Sequence, residues 1–171
     1  SWGGTSGIGV VHTRTDIADF LELFALFLFI VFTYVLVSLN GHLFKAKRLT
    51  IVLTLAIAAA LISFFTDFQL LLIIVPLILA PLYCIWKYRE QAETRFIVLL
   101  ILMGAAIILF CEVFYIRDSL PSPWERFNTI MKLYLPLWVF LAIASAYGIF
   151  WVMGRTKRKI KFVWVVLVII L

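Results

Sequence analysis

Charge is scarce in this chain. Only 14% of its 171 residues are Asp, Glu, Lys or Arg, against ~25% in an ordinary soluble domain, and that shortage excludes a water-soluble globular protein. Cysteine is nearly absent, with two in all. Cys84 falls near one end of an apolar span and Cys111 near the opposite end of the next, well beyond the ~7 Å reach of a disulfide. Both read as packing residues and carry no information on redox compartment. Histidine is equally sparse: His12 and His42 lie on opposite sides of the expected membrane and have no companions at metal-ligand spacing. There is no low-complexity linker, no repeat array and no stretch resembling a soluble domain. The glycine-rich start, Ser1 to Thr15 with Gly3, Gly4, Gly7 and Gly9, lacks the charged n-region and cleavage pattern of a signal peptide. It does not follow a strand, so a phosphate-binding loop is a poor reading. A surface loop is expected there.

What the chain has in abundance is hydrocarbon. Hydrophobic residues make up 65% of the sequence, and five stretches of 16 to 22 residues contain no charged side chain. About 20 residues of helix cross ~30 Å of hydrocarbon. The expectation is an all-α polytopic transmembrane bundle in one domain, with an external loop at 1–16 and spans at about 17–39, 49–65, 68–86, 96–116, 123–153 and 162–171. The connector Thr66–Asp67 makes the second and third spans a tight hairpin. The sixth span holds ten residues, ~15 Å of helix, about half a bilayer. With Ser1 in place of an initiator Met, this makes the chain read as a fragment of a longer protein.

Cytoplasmic loops retain Lys and Arg during insertion, which orients the bundle. Lys45, Lys47, Arg48, Lys87, Arg89, Arg95, Arg155, Lys157, Arg158, Lys159 and Lys161 follow spans one, three and five. The opposite side holds Arg14, Arg117, Arg126 and Lys132 with Asp16, Asp19, Glu22, Asp67, Glu112, Asp118 and Glu125. The basic loops are therefore expected in the cytoplasm. The N-terminus and the connection from Glu112 to Arg126 are expected outside a plasma or cytoplasmic membrane. The net charge of +6 is explained by topology and contact with lipid head groups, and nucleic acid is not a partner.

An ionisable group inside hydrocarbon costs ~2.5–3.5 kcal/mol on insertion scales, so it demands a partner or a function. Glu112 is the leading case: a structural pairing with Arg117 or Lys132 is one reading of it, a functional carboxylate the other. Beyond it, Ser122, Pro123 and Glu125 form a capping box with proline at the first helical position, which starts the next helix at Pro123. Glu125, Asn128 and Lys132 share one face of that helix, and Pro136 leaves the Lys132 carbonyl without its usual bond. Asp16 or Thr15 caps the first span, while Asp19 and Glu22 share a face in its opening turns. Ala56 with Ala60, and Ala144 with Gly148, have the four-residue spacing of helix-packing sites.

The order Glu112, Tyr115, Ile116, Arg117, Asp118, then Arg126, Asn128, Thr129, Lys132, Tyr134 and Trp138 resembles the signature of the large uncharacterised membrane proteins of archaea and Chloroflexi sometimes called the YYY family. The strong part of the match spans about Glu112 to Trp138. Those proteins look like relatives of the GT-C class of integral membrane glycosyltransferases, which use a lipid-phosphate-linked sugar at the outer face. The resemblance implies a partial active site, with the remaining spans of a full-length protein or partner helices completing it. Glu112 and Asp118 are then the catalytic candidates, as orienting or acid/base groups. Arg117, Arg126, Asn128, Lys132 and Tyr134 are the substrate-binding candidates. No metal ligand set is assigned; the cofactor stays open, with a carboxylate-bound divalent metal the one candidate. Two other classes stand beside this reading: a non-catalytic subunit of a membrane complex, and a segment of a transporter or channel, for which the inner halves of the spans show few polar residues.

Overall fold

A computed structural model of the chain describes residues 7–39, 54, 57–58, 60–63, 65–88, 90–117, 120 and 124–171. Its elements in chain order are β1 (Ile8–Val10), α1 (Ile17–Leu39), α2 (Leu71–Lys87), α3 (Ala92–Val113), β2 (Phe114–Ile116), α4 (Phe127–Arg155) and α5 (Arg158–Ile170). A lipid-exposed chain must satisfy its backbone groups internally, so these apolar runs take up helix. Among the described residues, α1, α3 and α4 are long and apolar enough to cross a membrane, while the apolar stretch of α2 is shorter. The second expected span falls largely outside the described residues. The described positions within it, 54, 57–58, 60–63 and 65, are helical.

Local chemistry sets the helix starts. Asp16 caps α1: its Oδ1 accepts the Ala18 amide at 2.7 Å and its carbonyl accepts the Phe20 amide at 3.1 Å. The first satisfies a donor that a helix start leaves orphaned, and the second is the first bond of the helix itself. At the expected hairpin the backbone of Asp67 turns through the left-handed region, φ 51°, which Asp tolerates better than most side chains. The chain then tightens through i→i−3 bonds at 68–70 before α2 begins. Pro76 and Pro81 lie inside α2, so the carbonyls of Leu72 and Leu77 lose their usual intrahelical partners.

Helices α1, α4, α3 and α2 pack in cyclic order, each against the next, and α5 rests on α1. Small residues set the spacing. A Cβ on Gly148 would stand 3.2 Å from Tyr34 Cβ and 3.3 Å from Ile30 Cγ2, so α4 meets α1 almost backbone to backbone. Ala144 is fully buried one turn earlier, and the expected Ala144–Gly148 packing pair is present. Of the other pair, Ala56 lies outside the described residues and Ala60 is exposed. Gly104 of α3 likewise receives Leu137 and Leu141 of α4. Aromatic rings fill the bundle at both ends. Phe20 and Phe24 pack edge-on to Tyr134. At the far end Tyr34, Tyr88 and Tyr147 surround Trp151.

The molecule is mostly helical, but the all-α expectation needs one correction. Within the N-terminal stretch read as a loop, β1 pairs antiparallel with β2 in the register Ile8↔Ile116, Gly9↔Tyr115, Val10↔Phe114. The ladder continues at both ends, with the Val11 amide on the Val113 carbonyl at 3.0 Å and the Arg117 amide on the Gly7 carbonyl at 2.9 Å. Gly9 is what allows it: a Cβ there would collide with the ring of Tyr115, and a glycine in a strand commonly marks such a close approach. Pairing with β1 also ends α3 at Val113, where Phe114–Ile116 turns to the ladder. The helix expected from Pro123 starts instead at Phe127, with Arg126 as N-cap and no side-chain cap bond. Ser122 and Pro123 lie outside the described residues.

Candidate functional site

Three segments distant in sequence meet where α3 ends and α1 and α4 begin. Glu112, in the last turn of α3, is fully buried. Its Oε1 accepts the Thr15 hydroxyl at 2.6 Å and Nη2 of Arg126 at 2.7 Å, and its Oε2 accepts the Thr15 amide at 3.2 Å. Arg126 also donates from Nη1 to the Thr13 carbonyl at 2.6 Å and from Nη2 to the Thr15 hydroxyl oxygen at 2.9 Å. The carboxylate thus has three donors, one of them a cation, which is what a desolvated charge requires. Arg126 Nε and the Tyr134 hydroxyl are buried beside this network without hydrogen-bond partners among the described residues. Tyr134 is near enough to Glu112 and Arg126 to interact with their charges. Thr129 anchors the second strand to α4 by accepting the Ile116 amide at 3.0 Å.

A polar cavity of ≈ 390 Å³ opens next to the network, lined by Val11, His12, Arg14, Thr15, Asp16, Thr66, Asp67 and Gln69. Its volume is within the range of small-ligand pockets. One wall is the segment leading into α1; the other is the turn leading into α2. The walls are tied together. Arg14 donates to the Thr66 carbonyl at 2.8 Å and lies over the Phe68 ring at 4.2 Å. The Gln69 side chain accepts the Ile17 amide at 3.2 Å.

The sequence candidates separate into groups. Glu112 and Arg126 are brought into direct contact, with Tyr134 beside them. Glu112 therefore pairs with Arg126, where the structural reading of the sequence has Arg117 or Lys132 as partner. Arg117 is exposed at the end of the ladder and Lys132 is exposed on α4, while Asn128 is half-buried. Asp118 lies outside the described residues. Sequence reasoning missed Thr13, Arg14, Asp67 and Gln69, and saw Thr15 only as a capping candidate. No signal in the sequence links Thr15 to Glu112, 97 positions away. Among the described residues no three His, Cys, Asp or Glu side chains are grouped so as to hold a metal ion.

Residues 1–141 match the family model described as Uncharacterized membrane protein (DUF2298). The chain belongs to that family. The match covers the ladder, the buried network, the cavity and the first half of α4. It agrees with the apolar helices in making this a membrane protein, of a family described as uncharacterized. No curated protein and no solved structure matches the chain.

Proposed function

We propose that this DUF2298 chain is part of a GT-C-like membrane glycosyltransferase, of the archaeal and Chloroflexi type that the residue order resembles, which takes its sugar from a lipid-phosphate donor. The observation carrying the reading is the cavity of ≈ 390 Å³ with cationic, imidazole and carboxylate lining beside the buried Glu112–Arg126 network. This end of the bundle faces outward in the proposal, with the basic loops in the cytoplasm. Remaining spans of a longer protein, or partner helices, complete the site.

Glycosyl transfer needs cations on the donor phosphate and a carboxylate for the acceptor. The acceptor oxygen bonds to the anomeric carbon as the bond from that carbon to the phosphate oxygen breaks. The acceptor proton passes to the carboxylate, and the departing phosphate is held by guanidinium or ammonium groups. Arg117 and Lys132, both exposed, are assigned to the phosphate, with Asn128 and Tyr134 near the sugar. Asp118 is assigned the acid/base role. Glu112 and Arg126 bond to each other and to Thr13 and Thr15, so both act as positioning residues.

Membranes containing the full-length protein are assayed for sugar transfer from a polyprenyl-phosphate donor. Asp118→Asn is expected to lower kcat at least tenfold, and Arg117→Ala with Lys132→Ala to raise the KM for the donor. Full transfer by Asp118→Asn and by Glu112→Gln with Arg126→Ala would remove these residues from the mechanism. Saturation of Glu112 by donors also favours a second reading, a non-catalytic subunit whose ion pair only fastens the ladder to the bundle. That reading predicts a stoichiometric partner on purification and no transfer activity to lose.

A further inference from the structure

The end of the bundle farthest from the network carries an electrostatic conflict. Arg155, Lys157, Arg158, Lys159 and Lys161 fall within seven positions at the junction of α4 and α5, and all but the half-buried Lys161 are exposed. Arg155 is stacked over Trp151 at 3.3 Å. Among the described residues the other four make no ion pair. Lys157 is the extended N-cap of α5, without a side-chain cap bond, and the first turn of that helix holds no acid. The first helical bond closes only at the Lys161 amide, on the Lys157 carbonyl. Like charges three and four positions apart repel: Arg158 with Lys161, and Lys157 with Lys161. They also crowd the positive end of a helix dipole, where cations are disfavoured. An arrangement unfavourable on each of these counts becomes favourable once an anion sits in it.

The surroundings narrow the chemistry of that anion. Helix α5 buries only Trp164, stacked with Phe29 of α1 at 6.2 Å. Ile160, Phe162, Val163 and Val166 are exposed, an apolar track leading away from the cations. Trp86 is also exposed, two residues before Tyr88, whose ring meets Trp151 one turn before Arg155; exposed Trp side chains favour the head-group level of a bilayer. A ligand fitting both parts has an anionic head and hydrocarbon chains.

We propose that the α4–α5 junction is a binding site for anionic phospholipid. Lys157, Arg158, Lys159 and Lys161 hold the phosphate at the start of α5, and the acyl chains lie along Ile160, Phe162, Val163 and Val166. This is separate from the transfer site and does not depend on it.

The test is native mass spectrometry of the full chain released from phosphatidylcholine bilayers containing 30% phosphatidylglycerol, together with melting in bilayers with and without the anionic lipid. A cation near a lipid surface contributes about five-fold to anionic lipid binding. The wild type should therefore retain phosphatidylglycerol at least tenfold over phosphatidylcholine, and a variant with all four cations changed to Gln should bring the ratio within twofold of unity. Cations in short loops also bias the orientation of a chain during insertion. Ile160→Ser with Phe162→Ser therefore supplies a second variant that leaves every charge in place, and it should cut retention of long-chain but not of short-chain phosphatidylglycerol. An unchanged ratio in the four-fold Gln variant would overturn the proposal. So would displacement of the lipid by millimolar inorganic phosphate, or a protein partner occupying the junction in its place.

Discussion

Removing the guanidinium of Arg126 tests whether the network braces the fold. Arg126→Met keeps most of the stem volume and leaves Glu112, whose side chain has 0% exposure, without its cation. Breaking a buried pair from one side costs ~3–5 kcal/mol, because the remaining charge is uncompensated. Here the low end applies. Glu112 keeps the Thr15 hydroxyl at 2.6 Å and the Thr15 amide at 3.2 Å, and the unpartnered Arg126 Nε disappears with the substitution. The expected loss is about 3 kcal/mol, a fall in melting temperature of ~6–12 °C for a chain of this size. Glu112→Leu with Arg126→Met removes both charges and should recover at least ~2 kcal/mol of the summed single losses, since an ion pair can often be replaced by apolar groups of similar volume. Cys111 supplies the assay: it is buried and free beside Glu112, so in a Cys84→Ser background a thiol-reactive dye reports opening at this point during a thermal ramp. Additive losses within ~0.5 kcal/mol would show that Glu112 and Arg126 do not act as a unit, and the bracing argument would fail.

Three further perturbations probe the elements around the network. Gly9→Val should drive a side chain into the Tyr115 ring and raise amide exchange at Val11 and Arg117 at least tenfold; Gly9→Ala with Tyr115→Ala should restore protection, and slow exchange in Gly9→Val would refute the close approach. Gly148→Leu should cost ~1–3 kcal/mol by overpacking against Ile30 and Tyr34, while Gly154→Leu, with nothing within 4 Å of a Cβ, should melt within about a degree of wild type. Asp16→Ala should lose ~1 kcal/mol from the start of α1 and Asp16→Asn much less, because an amide oxygen still caps; equal losses would mean that the charge, and not the cap, matters.

Periodicity and hydropathy were enough where a helix answers only to lipid. The first span is read at Ile17 to Leu39 and α1 has those ends, because Asp16 caps it locally and no charged side chain follows Glu22 within it. They fell short where a partner from elsewhere in the chain decides. Phe114 to Ile116 is as apolar as the helix before it, and only pairing with Ile8 to Val10 makes it a strand. The Ser122–Pro123–Glu125 pattern is a valid local start signal, yet Arg126 is held by Thr13, Thr15 and Glu112, and α4 begins after it. At the site, the cost of a carboxylate in hydrocarbon identified Glu112 as needing a cation. Its choice of Arg126 over Arg117 or Lys132 depended on where the N-terminal segment lies, which no local rule contains.

The network joins the start of α1, the end of α3 and the start of α4 at one level, and Thr15 belongs both to it and to the cavity wall. That shared residue makes brace and cavity one mechanical unit. If Arg126 releases Glu112, the Thr13 carbonyl and the Thr15 hydroxyl oxygen lose the guanidinium that donates to both, and Arg14 and Asp16 beside them are held less firmly relative to Asp67 and Gln69. A ligand in the cavity should in turn hold Thr15 toward Glu112 and slow labelling of Cys111. Binding at the cavity and closure of the network are then linked by one free energy, equal in both directions. A ligand that fills the cavity without protecting Cys111 would show that the wall at Thr15 can move independently of the pair.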